Sequence, residues 1–246
     1  MINAVKAEFR KLLTIRSTYY ISGGALLLVS AIAFYLQGYR NASTYGGGVN
    51  LQSSVLNLVP VTAIIVGIAA ILLICHEYRY NTIAYTLMAT NSRLKVIIAK
   101  LIVAAMYGVT IAVVTVVLVA LLLPLGVSAG GGIASWQGFP VWPVLVQAIG
   151  YTVAGVWMGL LFGILFRSLV FSIVFYFILP TTIEPLLQNV VKINANYLPS
   201  TAQNQILAMQ HEPGVYSPLA SAGVVALYLL VGWIVASVLF VKRDAN

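Results

Sequence analysis

Charge is what this chain has least of: only 7% of its 246 residues are Asp, Glu, Lys or Arg, against 61% apolar. A water-soluble domain of that make-up could not cover its surface with polar groups, so the bilayer is the expected solvent. Five acidic residues, two histidines and one cysteine leave little to cluster for metal ligation, proton transfer or nucleophilic attack, which argues against catalysis within the membrane. Cys75 is alone, so an intramolecular disulfide is excluded and a small buried apolar role is expected. The Gly-x-x-x-x-Gly-Lys-Ser/Thr phosphate cradle of nucleotide hydrolases is missing. No internal repeat stands out, which weakens the inverted-repeat carrier architectures.

Long apolar runs are plentiful instead. About 20 residues of helix cross the roughly 30 Å hydrocarbon layer, and runs of that order lie near 19–37, 55–75, 98–124, 142–166, 169–188 and 217–241. They are continuous, without period-2 alternation, and about twice the length of a membrane strand. The expected fold class is an all-α integral membrane protein with six transmembrane helices, in one transmembrane domain over 1–246.

Orientation follows from the basic residues, which are retained on the cytoplasmic side near span ends. With the N-terminus inside, that side holds Lys6, Arg10, Lys11, Arg16, Arg79, Arg93, Lys95, Lys100, Arg167, Lys242 and Arg243, leaving Arg40 and Lys192 outside. Both ends of this multi-pass cell-membrane chain are therefore expected in the cytoplasm. The formal net charge of +8 is then explained by anionic lipid headgroups, with no nucleic acid partner. In this topology His76 and His211 fall on opposite faces and cannot share a metal. A cleavable signal peptide ending at Ala31-Ile32-Ala33 is disfavoured, because the apolar stretch is long and a helix precedes it.

That helix covers about 2–16. On a helical wheel Ile2, Val5, Phe9, Leu12 and Leu13 share an arc of about 100°, with Lys6, Glu8, Arg10 and Lys11 outside it. The pattern predicts an amphipathic helix lying in the membrane interface, Phe9 in the acyl boundary and Arg10 and Lys11 near headgroups. Tyr19 and Tyr20 mark the entry to span one. The segments 38–54, 126–141 and 189–216 read as outer loops, the last with short helices over the mouth. The sequon Asn41-Ala42-Ser43 is read as a chance match. Gly155, Gly159 and Gly163 repeat at four-residue spacing in span four, a small-xxx-small pattern for close helix packing. Arg167 and Ser168 leave a tight hairpin between spans four and five. Glu184, beside Pro185 near the outer end of span five, is the one carboxylate expected inside a span, either reaching interfacial water or lining a pathway.

The interruption at 76–97 carries His76, Glu77, Arg79, Arg93 and Lys95, and must lie outside the hydrocarbon. Burying the two arginines and the lysine at mid-bilayer would cost on the order of 8–10 kcal/mol. Within it, Asn81 can cap a short helix from Thr82 to Met88, with Ile83 and Leu87 on one face.

Three features resemble the permease subunits of type-2 ATP-binding-cassette exporters. They are the helix around Ala7-Glu8-Phe9-Arg10-Lys11-Leu12, the six-span layout, and Glu77-Tyr78-Arg79-Tyr80-Asn81-Thr82-Ile83 followed by Arg93 and Ala99-Lys100-Leu101. Asn81 stands where the family often has Gly, and Thr90-Asn91-Ser92 replaces a commoner Pro-containing turn. Asn tolerates left-handed backbone nearly as Gly does. The resemblance implies a dimer with a second permease chain, identical or related. Each subunit would dock on a cytoplasmic ATP-binding subunit through the entry helix and a coupling helix at 82–89. ATP and Mg would be bound by that partner, with no cofactor in this chain. Glu77, Arg79, Thr82, Ile83, Leu87 and Arg93 are then the residues expected to transmit nucleotide-driven motion, and an amphipathic or lipid-like cargo would move outward. The rival readings are an ion-coupled carrier or channel, which needs a polar stripe along a span, and a non-transporting scaffold or immunity protein.

Overall fold

The computed structural model describes all residues except 46–49, 81, 83–92, 135, 137, 209–213 and 244–246. Among the described residues the regular structure is helical throughout. An entry helix, Ile2–Thr14, precedes six helices long and apolar enough to cross a membrane. Span one is Arg16–Thr44, span two Leu51–Arg79 and span three Leu94–Ala129; span four is Val141–Phe166, span five Leu169–Asn189 and span six Pro218–Phe240. The six expected spans are all present, longer at several ends than the apolar runs alone suggested.

Spans two and four form the centre, with 61% and 67% of their most apolar stretches buried against 11% for span five. Their approach depends on glycine. A Cβ on Gly159 would run into the backbone carbonyl of Gly67, and one on Gly163 into Ile74. The expected small-residue face of span four therefore meets span two. Span two begins where the Asn50 side chain accepts a hydrogen bond from the Ser53 N–H (3.2 Å), an N-cap that satisfies an otherwise orphaned donor.

Span one departs from the expected loop at 38–54. Its helix continues through a π-helical stretch, Ile32–Arg40, into Asn41–Tyr45. Packing gives the reason: a Cβ on Gly38 would stand 2.9 Å from Gly126 Cα, and Ala42 buries beside Gly130 and Gly132. Widened π turns accommodate such crowding within a helix.

Spans four and five meet in a tight hairpin. Arg167 takes the left-handed conformation (φ 53°) that ends span four, and extended Ser168 starts span five. Span five is broken: Leu169–Ile178 gives way to a π-helical Leu179–Ile183 containing Pro180, then Glu184–Asn189. Proline removes a backbone donor and crowds the preceding turn, which accounts for the irregularity. Beyond span five a short helix, Pro199–Gln205, is held to its neighbours by polar side chains. Gln203 Nε2 donates to Tyr151 O (3.0 Å), Tyr151 OH to Asn204 Oδ1 (3.0 Å) and Ser221 Oγ to Gln205 Oε1 (2.9 Å). One of the short helices expected in 189–216 is thus present.

Candidate functional site

Four charged side chains converge where the entry helix crosses the ends of spans two and three. Lys100 Nζ lies 2.7 Å from both Glu8 Oε2 and Glu77 Oε1, while Lys11 Nζ lies 2.7 Å from Glu8 Oε1 and 3.0 Å from Glu77 Oε1. Two carboxylates and two ammoniums cancel, which is the condition for holding charge in an apolar setting. Glu8, Glu77 and Lys100 are buried, and the Lys11 side chain stays 35% exposed. Burial pushes the Glu8 carboxyl up, but Lys100 and Lys11, by charge and hydrogen bond together, outweigh it and hold the group below its ordinary value. Burial likewise pulls the Lys11 ammonium down, and Glu77 and Glu8 more than offset it, so Lys11 ends above its ordinary value.

The entry helix reaches this position on a face the wheel did not favour. Glu8 and Leu12 are its buried residues, whereas Ile2, Phe9 and Leu13 of the apolar arc are exposed. Arg10 is exposed as well. The helix thus presents a charged and partly apolar side to the bundle and a mixed side outward, where Ile2, Phe9 and Leu13 are exposed together with Lys6 and Arg10.

Below Glu77 the chain continues the same corner. Tyr80 N donates to His76 O (3.0 Å) and Thr82 N to Glu77 O (3.0 Å), so Thr82 is tied to the last turn of span two. Arg79 is exposed, with its guanidinium 5.8 Å from the Tyr80 ring centre. The Arg167 guanidinium sits 5.2 Å from the Tyr78 ring centre, a cation–π contact that joins the span four–five hairpin to span two. Trp157 of span four donates to Leu101 O (3.0 Å), one residue past Lys100. Of the residues expected to transmit motion, Glu77, Arg79 and Thr82 therefore gather here. Ile83, Leu87 and the expected helix at 82–89 beyond Thr82 lie outside the described residues, as does the side chain of Arg93.

Glu184 stands apart, buried at 2% exposure. Its Oε1 accepts from Ser200 N (2.7 Å), and its Oε2 from Thr201 N (3.0 Å) and Thr201 Oγ1 (3.1 Å). The carboxylate caps the short helix that begins at Pro199, where backbone N–H groups favour negative charge.

Sequence reasoning gave Glu8 and Lys100 no role of their own. The available signal was Lys100 itself, a cation inside an apolar run, which needs a partner; what hid the pairing was distance along the chain, since Glu8 is 92 residues away.

The family model described as ABC-2 family transporter protein matches residues 4–182, well over half of the chain. The chain belongs to that family. The match takes in the entry helix, the four-charge cluster and the Glu77–Thr82 corner, and ends just before Glu184. No curated protein matches the chain. Membership in the ABC-2 family, with six apolar helices, makes this a multi-pass membrane protein of a transporter class. Such membrane proteins generally work with a separate ATP-binding partner.

Proposed function

We propose that this chain is the permease subunit of an ATP-binding-cassette exporter. It forms the substrate path and is driven by a separate cytoplasmic ATPase subunit, which binds the ATP and Mg. One observation carries the reading: within an ABC-2 family member, Glu77 at the end of span two is ion-paired to the entry helix through Lys11 and to span three through Lys100. A push on the Glu77–Thr82 corner would be passed to three elements at once.

In this reading residues 1–246 form one permease domain, with both termini and the charge cluster in the cytoplasm, as the distribution of basic residues favours. On the exposed side of the entry helix, Ile2, Phe9 and Leu13 suit the acyl boundary and Lys6 and Arg10 the headgroups. Arg79, exposed beside the cluster, is available to a docking partner, and Arg93, Ile83 and Leu87 belong to the same contact segment. A second permease chain completes the pathway, and the cargo is amphipathic. Since Glu184 has its carboxylate engaged by a helix N-terminus, it supports an ion-coupled carrier poorly.

The test is recovery from the native membrane in mild detergent, with the co-purifying subunits identified by mass spectrometry. The expected result is a stoichiometric nucleotide hydrolase that is lost when residues 82–89 are scrambled. Reproducible recovery with no such hydrolase would sink the proposal.

A further inference from the structure

A groove of about 520 Å³ runs along span three where it meets span four. Ile98, Ile102, Met106 and Val109 of span three line it and are exposed, at spacings that put all four on one helix face. From Ile98 to Thr110 the helix rises about 18 Å, close to the depth of one leaflet, which is roughly half of a 30 Å hydrocarbon layer. Span four contributes Trp157. The polar side-chain atoms of the groove are already engaged: Trp157 Nε1 donates to Leu101 O (3.0 Å) and Thr110 Oγ1 to Met106 O (2.8 Å). The indole is left with its apolar faces, and the groove offers no free N–H to an occupant, so a hydrocarbon chain suits it.

Charge at one end sets this groove apart from an ordinary lipid-facing surface. Lys95 precedes Ile98 by about one turn, lies on the same face as Ile102 and Met106, and is exposed. It points away from the four-charge cluster, since Lys100 is five residues further on and about 140° around the helix. Among the described residues no carboxylate pairs with Lys95: Glu8 and Glu77 are engaged in the cluster, and Glu184 holds the start of the Pro199–Gln205 helix. The segment 83–92 that leads into span three contains no acidic residue. A second copy of this chain seated in the groove would bring more cations to the same level, because the corresponding ends of its spans carry Arg16, Arg79 and Arg167. A lipid phosphate brings the opposite charge, and a lysine at a span end reaches it by laying its stem along the helix.

We infer that this groove is a binding site for an anionic phospholipid, one acyl chain lying along Ile98, Ile102, Met106 and Val109 beside Trp157, and the phosphate paired with Lys95. In the orientation proposed above, the lipid belongs to the cytoplasmic leaflet. The site lies within a single subunit, and its occupancy requires neither an ATPase nor transport. It therefore stands or falls independently of the permease reading.

The probe is phosphatidylglycerol brominated midway along its chains, with equally brominated phosphatidylcholine as the reference, because bromine quenches an indole on contact. The full chain carrying Trp136→Phe, Trp142→Phe and Trp233→Phe, which keeps Trp157 as its one tryptophan, is reconstituted in phosphatidylcholine vesicles with rising fractions of either probe. Brominated phosphatidylglycerol is expected to compete for contact with Trp157 roughly fivefold better than brominated phosphatidylcholine, an advantage that shrinks in high salt. Lys95→Gln is expected to remove the advantage and Lys95→Arg to keep it. Ala105→Leu, which fills the groove without touching a charge, is expected to lower the quenching by both lipids. Should Trp233→Phe fail to fold, the quenching lost on introducing Trp157→Phe into the otherwise native chain gives the same reading. Equal quenching by the two lipids, or undiminished quenching in folded Ala105→Leu, overturns the site. So does a phosphatidylglycerol preference that survives in folded Lys95→Gln, which would mean that anionic lipid gathers around a chain of net charge +8 without a site.

Discussion

Lys100 and Lys11 serve the same two carboxylates, yet they are not equivalent. Lys100 is buried and Lys11 is one-third exposed, so losing each should have a different cost. Lys100→Met leaves two carboxylates sharing one partly solvated cation and should destabilise the protein by about 3–5 kcal/mol. For Lys11→Met a loss of about 1 kcal/mol is expected, since water screens the pair and replaces part of what it gives. Thermal midpoints in one detergent would rank them, and equal losses would refute the difference in burial. Glu77→Ala would take a buried carboxylate out of this cluster and leave Lys100 short of a partner, so the isosteric Glu77→Gln is the cleaner variant for function. The cluster has a pH signature as well. Glu8 is held below its ordinary value, so its contribution is complete above the unfolded carboxylate value, about 4.3, and is lost as pH falls through the folded one. Lys11 is raised, so its contribution is complete below about 10.4 and is lost as pH rises through its folded value. The contribution of these two groups should be constant between these limits, and Glu8→Gln should reduce the slope of the acid limb. An acid limb identical in the variant would remove Glu8 from the account.

At the scale of helices, some glycines are pressed by backbone, some by side chains, and some face open space. Gly159→Ala drives a methyl into the Gly67 carbonyl at the central crossing, where neither helix can yield cheaply, and about 1–3 kcal/mol should be lost. Gly23→Ala in span one meets nothing within 4 Å and should be neutral or stabilising by up to about 1 kcal/mol from helix propensity. Comparing the two melting curves isolates packing from propensity. Glu184→Ala belongs to this scale too, because it removes both acceptors from the start of the Pro199–Gln205 helix. A loss of about 2 kcal/mol is expected, with faster amide exchange at Ser200 and Thr201. The spacing of Gly155, Gly159 and Gly163 made a packed face legible in the sequence, because helical period alone puts those positions on one side. Its partner was not legible: Gly67 is a lone glycine in span two, and nothing local marks it as the point of contact. The π stretch in span one was hidden for the same reason, since it answers to Gly126, far along the chain.

The whole molecule was the easiest scale to read. Six spans follow from apolar run length, because the hydrocarbon layer enforces length whatever the packing, and the preceding helix follows from its amphipathic period. The corner at Glu77 was legible through the order of its residues, and its charges stood out against a sequence that has so few. What the runs could not reveal is which charges neutralise one another, since pairing depends on how three separate helices cross. That crossing also bears on how the protein is made. Glu8 and Lys11 are synthesised first, but Lys100, which closes the cluster, comes 92 residues after Glu8. At about 5–20 residues per second, the interval is roughly five to twenty seconds. During that time the nascent entry helix has no docking place in the bundle, so the membrane surface is the natural place for it to wait. Its final seating is then a checkpoint that reports the arrival of span three.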